Sequence, residues 1–411
     1  MKQNTLMPEY MSKFKCIGGD CEDTCCSGWT VTVDKKTYKN YQKVKDPVLK
    51  KELSSSLKRN KNSATSSDRY YASFILNENS CCSMLTEKKL CSIQVEMGEK
   101  ALSSTCQTYP RNLNKHDGNY ELSGRISCPE IARLALLEPK GIEFEEADIE
   151  INDNWLIFMS GNQETNIYTQ YFWPIRMLAI EIIQNRSLSI GDRLVVLGLL
   201  IEALENDIKH RLGSSVLEII DSFRSKLSNP EYINSIGMLK VNLDLQLQAL
   251  FELIRSRLKF GISSERYRMT FDDMINGLMH NSEEFDLDIF RQNYEDNYKL
   301  YYSPYMHKKE YILENYLVNY LFNSLFPNLF TNKVSLFDEY ALLCVIYGML
   351  KIHLVGISGK HKLLNDEIVI RTIQTFAKTI EHNSSYTKSL VEELKNNNYY
   401  SLAHISLLVR D

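Results

Sequence analysis

The chain has 411 residues, 44% of them hydrophobic, 24% charged and 10% aromatic, which is enough apolar material for two or three cores of roughly 150 residues each. That balance excludes an intrinsically disordered or collagenous chain. The formal charge of −4 conceals a division: residues 1–130 hold 20 Lys and Arg against 15 Asp and Glu, and residues 131–411 hold 28 against 37.

Residues 1–15 contain no apolar stretch or small-residue cleavage site, so no signal peptide is expected. The longest uninterrupted apolar runs, such as residues 194–201, stop well short of the roughly 20 residues of a membrane-spanning helix. A soluble, cytoplasmic protein without membrane insertion is therefore expected. Nine of the ten cysteines lie in the first 128 residues, and Cys344 is the tenth. In a reducing compartment such a cluster points to metal rather than disulfides.

After Cys26, Trp29 to Asp34 alternates apolar and polar residues, the pattern of a short half-buried strand. Residues 35–61 carry nine lysines and Arg59 against Asp46 and Glu52, and read as a solvated helix face running into a Ser-, Asn- and Lys-rich loop. A contact with nucleic acid is the weaker reading of that charge. Residues 93–102 are a short helical candidate, and the rest of the first 130 residues lacks sustained periodicity. A segment with a thin apolar core and many thiols needs metal to order it.

From Pro129 onward, long amphipathic patterns take over. Ser189 and Asp192 form a capping arrangement ahead of Ile190, Leu194, Leu197, Ile201, Leu204 and Ile208. Leu243, Leu247, Leu250, Ile254 and Leu258 repeat the spacing. Residues 167–184, 308–325, 336–354 and 366–381 are further helices, with Pro174 delimiting or kinking the first. No strands alternate with them, so a parallel α/β sheet is not expected. The expected fold class is mainly α: a cysteine-rich metal-binding module (1–130) with little regular structure and a short strand, then a helical domain (131–411).

The cysteine intervals are Cys16-x4-Cys21-x3-Cys25-Cys26 and Cys82-x8-Cys91-x14-Cys106-x21-Cys128, with Cys81 next to Cys82. No C-x2-C pair occurs, which argues against zinc ribbons and fingers. The C-x3-C-x2-C run of radical S-adenosylmethionine enzymes fails at Gly28, where the third cysteine should stand. Thiolate sulfur suits zinc or an iron–sulfur cluster, and spacing leaves the two open.

In the second region, eight of the 24 tyrosines fall between Tyr294 and Tyr320. Their faces suit a lysine or sulfonium channel, and they equally suit packing between helices. Asn315, Asn319 and Asn323 recur every four residues beside Glu314, a polar stripe fit either for a ribose or amino-acid carboxylate or for solvent. His353 and Cys344 read as core residues, and His116 beside Asp117-Gly118 reads as a turn. No glycine-rich Rossmann turn is present.

The run from Lys15-Cys16-Ile17-Gly18 through Cys21-Glu22-Asp23-Thr24-Cys25-Cys26-Ser27-Gly28-Trp29, then Cys82, Leu90-Cys91-Ser92-Ile93-Gln94, Gly98-Glu99 and Thr105-Cys106-Gln107-Thr108-Tyr109-Pro110-Arg111, resembles the bacterial flagellin lysine-N-methylases. The similarity continues in Glu314-Asn315-Tyr316-Leu317-Val318-Asn319-Tyr320 and Leu325-Phe326-Pro327. It implies methyl transfer from S-adenosylmethionine to surface lysines of flagellin, in the cytoplasm before export. It also implies a [4Fe-4S] cluster, with zinc as the alternative, on ligands among Cys16, Cys21, Cys25, Cys26, Cys82, Cys91, Cys106 and Cys128. Cys81 departs from the family pattern and is left out of that set. The resemblance turns the polar stripe into a cofactor or substrate expectation at Glu314, Asn315 and Asn319. A non-enzymatic metal-dependent flagellar adaptor and an iron–sulfur redox protein are the rival classes.

Overall fold

The computed structural model describes residues 2–62, 67–159, 170–238, 242–279, 285–327 and 335–410. The chain forms two compact units: Met1–Leu134 with Glu143–Met159 and Ser263–Glu265, and Ala135–Ile142 with Ser160–Ile262 and Arg266–Asp411. No single cut in the sequence separates them, because strands from beyond residue 140 return to the first.

The first unit is built on two sheets. The larger has the order β7-β1-β6-β5-β8, with β1 (Lys2–Pro8), β5 (Arg111–His116), β6 (Asn119–Gly124), β7 (Phe144–Glu150) and β8 (Ile157–Met159). β5 and β6 form a hairpin with Leu113 opposite Leu122. Its turn is Asp117-Gly118, both residues at positive φ, the tight turn that asparagine, aspartate and glycine favour. β1 runs parallel to β6 and antiparallel to β7, so residues over 100 positions apart complete the sheet.

The smaller sheet, β2-β4-β3, joins β2 (Thr32–Val33), β4 (Ala72–Phe74) and β3 (Leu57–Arg59). β2 is the strand expected after Cys26. Val31, Val33, Tyr41, Leu49, Leu53, Phe74, Met84, Ile93 and Leu102 form the core beneath it, and Cys82 is part of that core. The helices here are short: α1 (Tyr10–Lys13), α2 (Lys35–Tyr41), α3 (Pro47–Ser56), α4 (Ser92–Met97) and α5 (Ser104–Thr108), with α6 (Pro129–Leu136) closing the segment. Asp34 and Asp46 cap α2 and α3 by accepting from Thr37 and Leu49 backbone amides. Lys36, Lys39, Lys43, Lys45, Lys50 and Lys51 are exposed, the solvated face expected of that run, whereas part of the expected loop is strand β3. The helix expected over 93–102 breaks at Gly98 (φ +81°), with one 3-10 turn beyond it.

The second unit is helical throughout its described residues, which with the small sheets makes the chain mainly α. α7 (Phe172–Ile183) carries Pro174 in its first turn, where the missing N–H is not needed; residues 167–169 of the expected helix lie outside the described residues. α8 (Ile190–Arg211) begins where expected, with the Ser189 hydroxyl accepting from the Asp192 amide. α9 (Val216–Leu227), α10 (Pro230–Gly237), α11 (Leu243–Lys259), α12 (Glu265–Leu278) and α13 (Leu287–Asn297) follow. A π-helical turn, Tyr298–Tyr302, leads into α14 (Ser303–Lys309) and α15 (Tyr311–Asn323). The last elements are α16 (Leu336–His361), α17 (Asp366–Ile380), α18 (Ser384–Asn396) and α19 (Leu402–Val409).

α16 is the centre of this unit. It starts with a reciprocal capping box between Ser335 and Asp338, and residues on every side of it are buried. By length and composition alone it is a helix able to cross a membrane, although 94% of its most apolar window is buried inside the unit. Lys351 and His353 interrupt its apolar stretch, so no uninterrupted apolar run of that length stands in the sequence. Its neighbours approach closely: a Cβ on Gly277 of α12 would meet the Gly356 carbonyl oxygen at 1.8 Å, so glycine is required at that crossing.

Candidate functional site

Two neighbourhoods gather the residues with chemistry, one in each unit. In the first unit the ten-cysteine inventory begins to sort itself. Cys82 is bridged to Leu76, Cys91 precedes α4, Cys106 lies within α5 and Cys25 belongs to the loop before Trp29. These four act on one another. Burial pushes the Cys82 thiol up to about 11, with Cys91 and Cys25 adding to it; burial takes Cys106 to about 12, with Cys25, Cys91 and Cys82 adding. Cys91 is raised by burial and by Cys25.

A second set adjoins it, since Cys128 and Cys25 both act on Tyr109. Cys128 is raised by burial to about 12 and feels Cys21 and Cys16. The ten cysteines are thiols rather than disulfides. Among the described residues no three His, Cys, Asp or Glu side chains stand where they could hold a metal ion, so the sulfurs form two neighbourhoods rather than a closed coordination shell. Cys26 packs against the small core, and its carbonyl accepts from the Cys82 amide at 2.6 Å. The Cys81 Sγ donates to the Asn79 carbonyl at 3.5 Å. Cys344, in the other unit, is fully buried among apolar residues, as expected of a core thiol.

In the second unit the tyrosine-rich segment divides. The widened π turn lets residues four apart line up, and the Tyr294, Tyr298 and Tyr302 rings follow one another with centroids 6.2 and 5.2 Å apart. Asn297 fixes this segment: its amide donates to the Gly277 carbonyl at 2.9 Å and fills the space a Cβ on Gly359 would need. Tyr347 of α16 belongs to the same group; burial raises its hydroxyl well above the ordinary value, and Tyr302, Glu310, Tyr294 and Tyr298 add to the effect. Other tyrosines serve packing. Tyr305 donates to Asp366 at 2.6 Å and Tyr316 to Glu381 at 2.7 Å.

Behind the tyrosines stands Lys351, only 3% exposed, with its Nζ 5.6 Å from the centre of the Tyr298 ring. Burial pulls its pKa down to about 7, and the Glu310 carboxylate partly opposes that pull. Glu310 in turn lies 3.2 Å from Arg193 Nη2.

Glu314, Asn315 and Asn319 are 2%, 0% and 2% exposed, so they are not a solvated stripe. Glu314 accepts from Arg186 Nη2 at 2.8 Å and from Arg193 Nη1 at 2.8 Å. Asn315 donates to the carbonyls of Leu136 and Glu138 at 3.3 and 2.9 Å. Glu314 and the Asn315 Nδ2 thus bond to protein groups around α15, whereas the Asn315 Oδ1 is buried without a hydrogen-bond partner. His353 is likewise a satisfied core residue: its Nδ1 lies 2.6 Å from the Met349 carbonyl and its Nε2 3.1 Å from the Tyr267 hydroxyl.

With these positions in hand, the second unit can be compared with known families. Residues 176–408, more than half of the chain, match the FliB lysine N-methylase C-terminal domain. The chain belongs to the FliB lysine N-methylase family. The lysine-N-methylase of Salmonella typhimurium is 32% identical over 151 residues, which are 36% of this chain and 37% of that protein. The Salmonella choleraesuis lysine-N-methylase matches to the same extent. The flagellar biosynthetic protein FliU of Salmonella muenchen is 32% identical over 148 residues, 36% of this chain and 85% of that protein. The matched part therefore spans well under half the length of the two Salmonella lysine-N-methylases. No solved structure matches this member of the FliB family.

Two features of this FliB-family chain were not read from its sequence. The division of the cysteines into two groups depends on which loops meet, and spacing does not encode that. Lys351 and Tyr347 had a usable signal: Lys351 is the one charged residue between Tyr340 and Ser358.

Proposed function

We propose that this chain is an S-adenosylmethionine-dependent protein-lysine N-methyltransferase that modifies surface lysines of flagellin in the cytoplasm before export. The observation that carries the reading is the FliB lysine N-methylase match over residues 176–408, joined to a flagellar name among the relatives. S-adenosylmethionine supplies an electrophilic methyl group on a sulfonium when bound. The tyrosine group suits such a ligand in kind, because stacked aromatic faces beside the Glu310 carboxylate receive a cation. In this reading Glu314 and Asn315 seat α15 and so position the tyrosine face, Asn319 remains a cofactor or substrate residue on the same helix, and the rings themselves meet donor and substrate.

Lysine reacts as a neutral amine, yet its ordinary pKa is near 10.4. Burial beneath the tyrosines disfavours the ammonium, and the faces then bind the methylated cation, contributing about 0.5–2 kcal/mol.

The cysteine-rich unit carries the metal part of the proposal. A [4Fe-4S] cluster or zinc would be held by thiolates drawn from Cys25, Cys82, Cys91 and Cys106, with Cys16, Cys21 and Cys128 as the second set. The donor chemistry fits, since Cys82, Cys91 and Cys106 are raised by burial and by neighbouring thiols, the exposed Cys25 among them, and that repulsion is lost when a cation binds. A bound metal would fix the loops of a unit whose apolar core is small. Without a radical-enzyme cysteine run, structure and positioning are the roles assigned to it.

The test is anaerobic incubation of the purified protein with flagellin and methyl-labelled S-adenosylmethionine. Label on flagellin lysines is expected. An adaptor or a redox protein would leave flagellin unlabelled with substrate and metal intact, and that result would sink the enzyme reading.

A further inference from the structure

Resting on the methylase reading, we propose that Lys351 is the proton acceptor of the methyl-transfer site, taking one proton from a substrate ε-ammonium seated against the Tyr298 ring. Among the rings of Tyr294, Tyr298, Tyr302 and Tyr347, only Tyr298 is half-buried rather than buried, and it is the ring that Lys351 stands behind. In this proposal the surface lysine approaches across that ring.

The neighbouring groups cannot take that proton. The tyrosine hydroxyls are raised by burial and by one another, so they are already protonated at neutral pH. Glu310 is held to Arg193, and a carboxylate is a far weaker base than an amine. Both ring nitrogens of His353 are within hydrogen-bond distance of Tyr267 and Met349, on another side of the helix. Lys351 differs from all of these, since burial holds a large share of its amine neutral near pH 7. A base with that property is matched to its task.

The balance is simple. The substrate R–NH3+ loses one proton to the Lys351 Nζ lone pair, giving R–NH2 and a Lys351 ammonium. The freed lone pair attacks the methyl carbon of the sulfonium, the N–C bond forms, and the C–S bond breaks with its electron pair going to sulfur. The products are R–NH2+–CH3 and a neutral thioether. The Lys351 ammonium is stabilised meanwhile by the Tyr298 face and the Glu310 carboxylate.

Among the charged and titratable groups around Lys351 are Glu310 with Arg193 behind it, and Tyr294, Tyr298, Tyr302 and Tyr347. The experiment uses the full-length protein, anaerobic, with flagellin and labelled S-adenosylmethionine. Lys351→Gln and Lys351→Arg are expected to lower kcat by about 100-fold or more, with unchanged helical circular dichroism, because neither side chain accepts a proton at neutral pH. Flagellin whose target lysine is replaced by the less basic aminoethylcysteine should recover much of the Lys351→Gln deficit, whereas a merely structural loss would affect both substrates equally.

A readout that needs no methyl donor is competitive acetylation with trace acetic anhydride, followed by mass spectrometry. Lys351 should titrate near pH 7 while exposed lysines titrate far higher. A Lys351→Gln protein within about threefold of the wild-type kcat, equal losses on both substrates, or a Lys351 that titrates with the surface lysines would each overturn the assignment. If the wild-type protein transfers no methyl group at all, the methylase reading falls and the base falls with it. Wild-type transfer with an indifferent Lys351 removes only the base.

Discussion

The two units reach order by different means. In the first, strands of two to seven residues and helices of ten or fewer surround a core of about a dozen side chains, with cysteines at its edge. In the second, a 26-residue helix buried on all sides is wrapped by others, and charged groups are carried inside: Arg176, Arg193, Glu314 and Lys351 are each 3% exposed or less. A small core gains most from cross-links or metal, whereas a large one can tolerate buried charge whose desolvation costs several kcal/mol. The thiols are thus expected to hold the first unit together, and the ionisable groups of the second to be an expense of its chemistry.

The sharpest way to break this contrast is to remove the thiols. Serine at Cys25, Cys82, Cys91 or Cys106 should release metal and lower the folded yield, whereas Cys344→Ser should leave metal content unchanged. Elemental analysis and the visible spectrum check both, and a colourless protein carrying only zinc would decide against the cluster. Retained metal in the four single variants would mean that the mutual effects of these thiols do not mark a binding site.

The next effect tests the helical unit. Glu314 joins two arginines, and Arg193 is 1% exposed. Glu314→Ala removes the buried carboxylate from Arg193, leaving it only the part-exposed Glu310 carboxylate at 3.2 Å, and is expected to destabilise by about 3–5 kcal/mol. A loss below 1 kcal/mol in denaturant unfolding would show that Arg193 finds other partners.

Much of the second unit was legible in sequence because helix signals are local. The Ser189 cap, the leucine spacing of α11 and the buried setting of His353 all follow from residues within a few turns of one another. The larger sheet was not legible. β1 pairs with β7 across more than 130 positions, and β2, β3 and β4 are too short to show a period. The candidate site divides in the same way. Its tyrosines announced themselves by frequency, but only tertiary packing places Tyr347 and Lys351 behind Tyr298 and gives Glu314 and Asn315 to internal partners.

Lys351 offers the opposite test to Glu314. Its pKa is lowered from 10.5 to about 7 by burial, so its contribution to stability is fully present only above pH 10.5 and is lost as pH falls through 7. Lys351→Met should therefore stabilise the protein, by on the order of 4 kcal/mol at pH 7, with the gain vanishing by about pH 10.5. A residue that lowers stability in a core position is retained for something other than folding. If Lys351→Met destabilises, the lysine is a structural member of the core.

His353 gives the smallest of these effects. Burial lowers its pKa from 6.5 to about 4, so the imidazole is neutral inside the helical unit and the unfolded chain takes up the extra proton first. The stability this provides is fully present above pH 6.5 and is lost as pH falls through 4, a difference of about 3 kcal/mol at 1.36 kcal/mol per unit. In His353→Gln the titrating group is gone while a donor and an acceptor remain for Met349 and Tyr267. The wild-type advantage measured by urea unfolding at pH 7 should therefore shrink steadily towards pH 4. Other groups titrate in both proteins and cancel in that difference, so a constant gap between the two would mean that the ring takes up its proton at the same pH folded and unfolded. The helical unit would then carry His353, like Lys351, as an ionisable group with a function rather than as core.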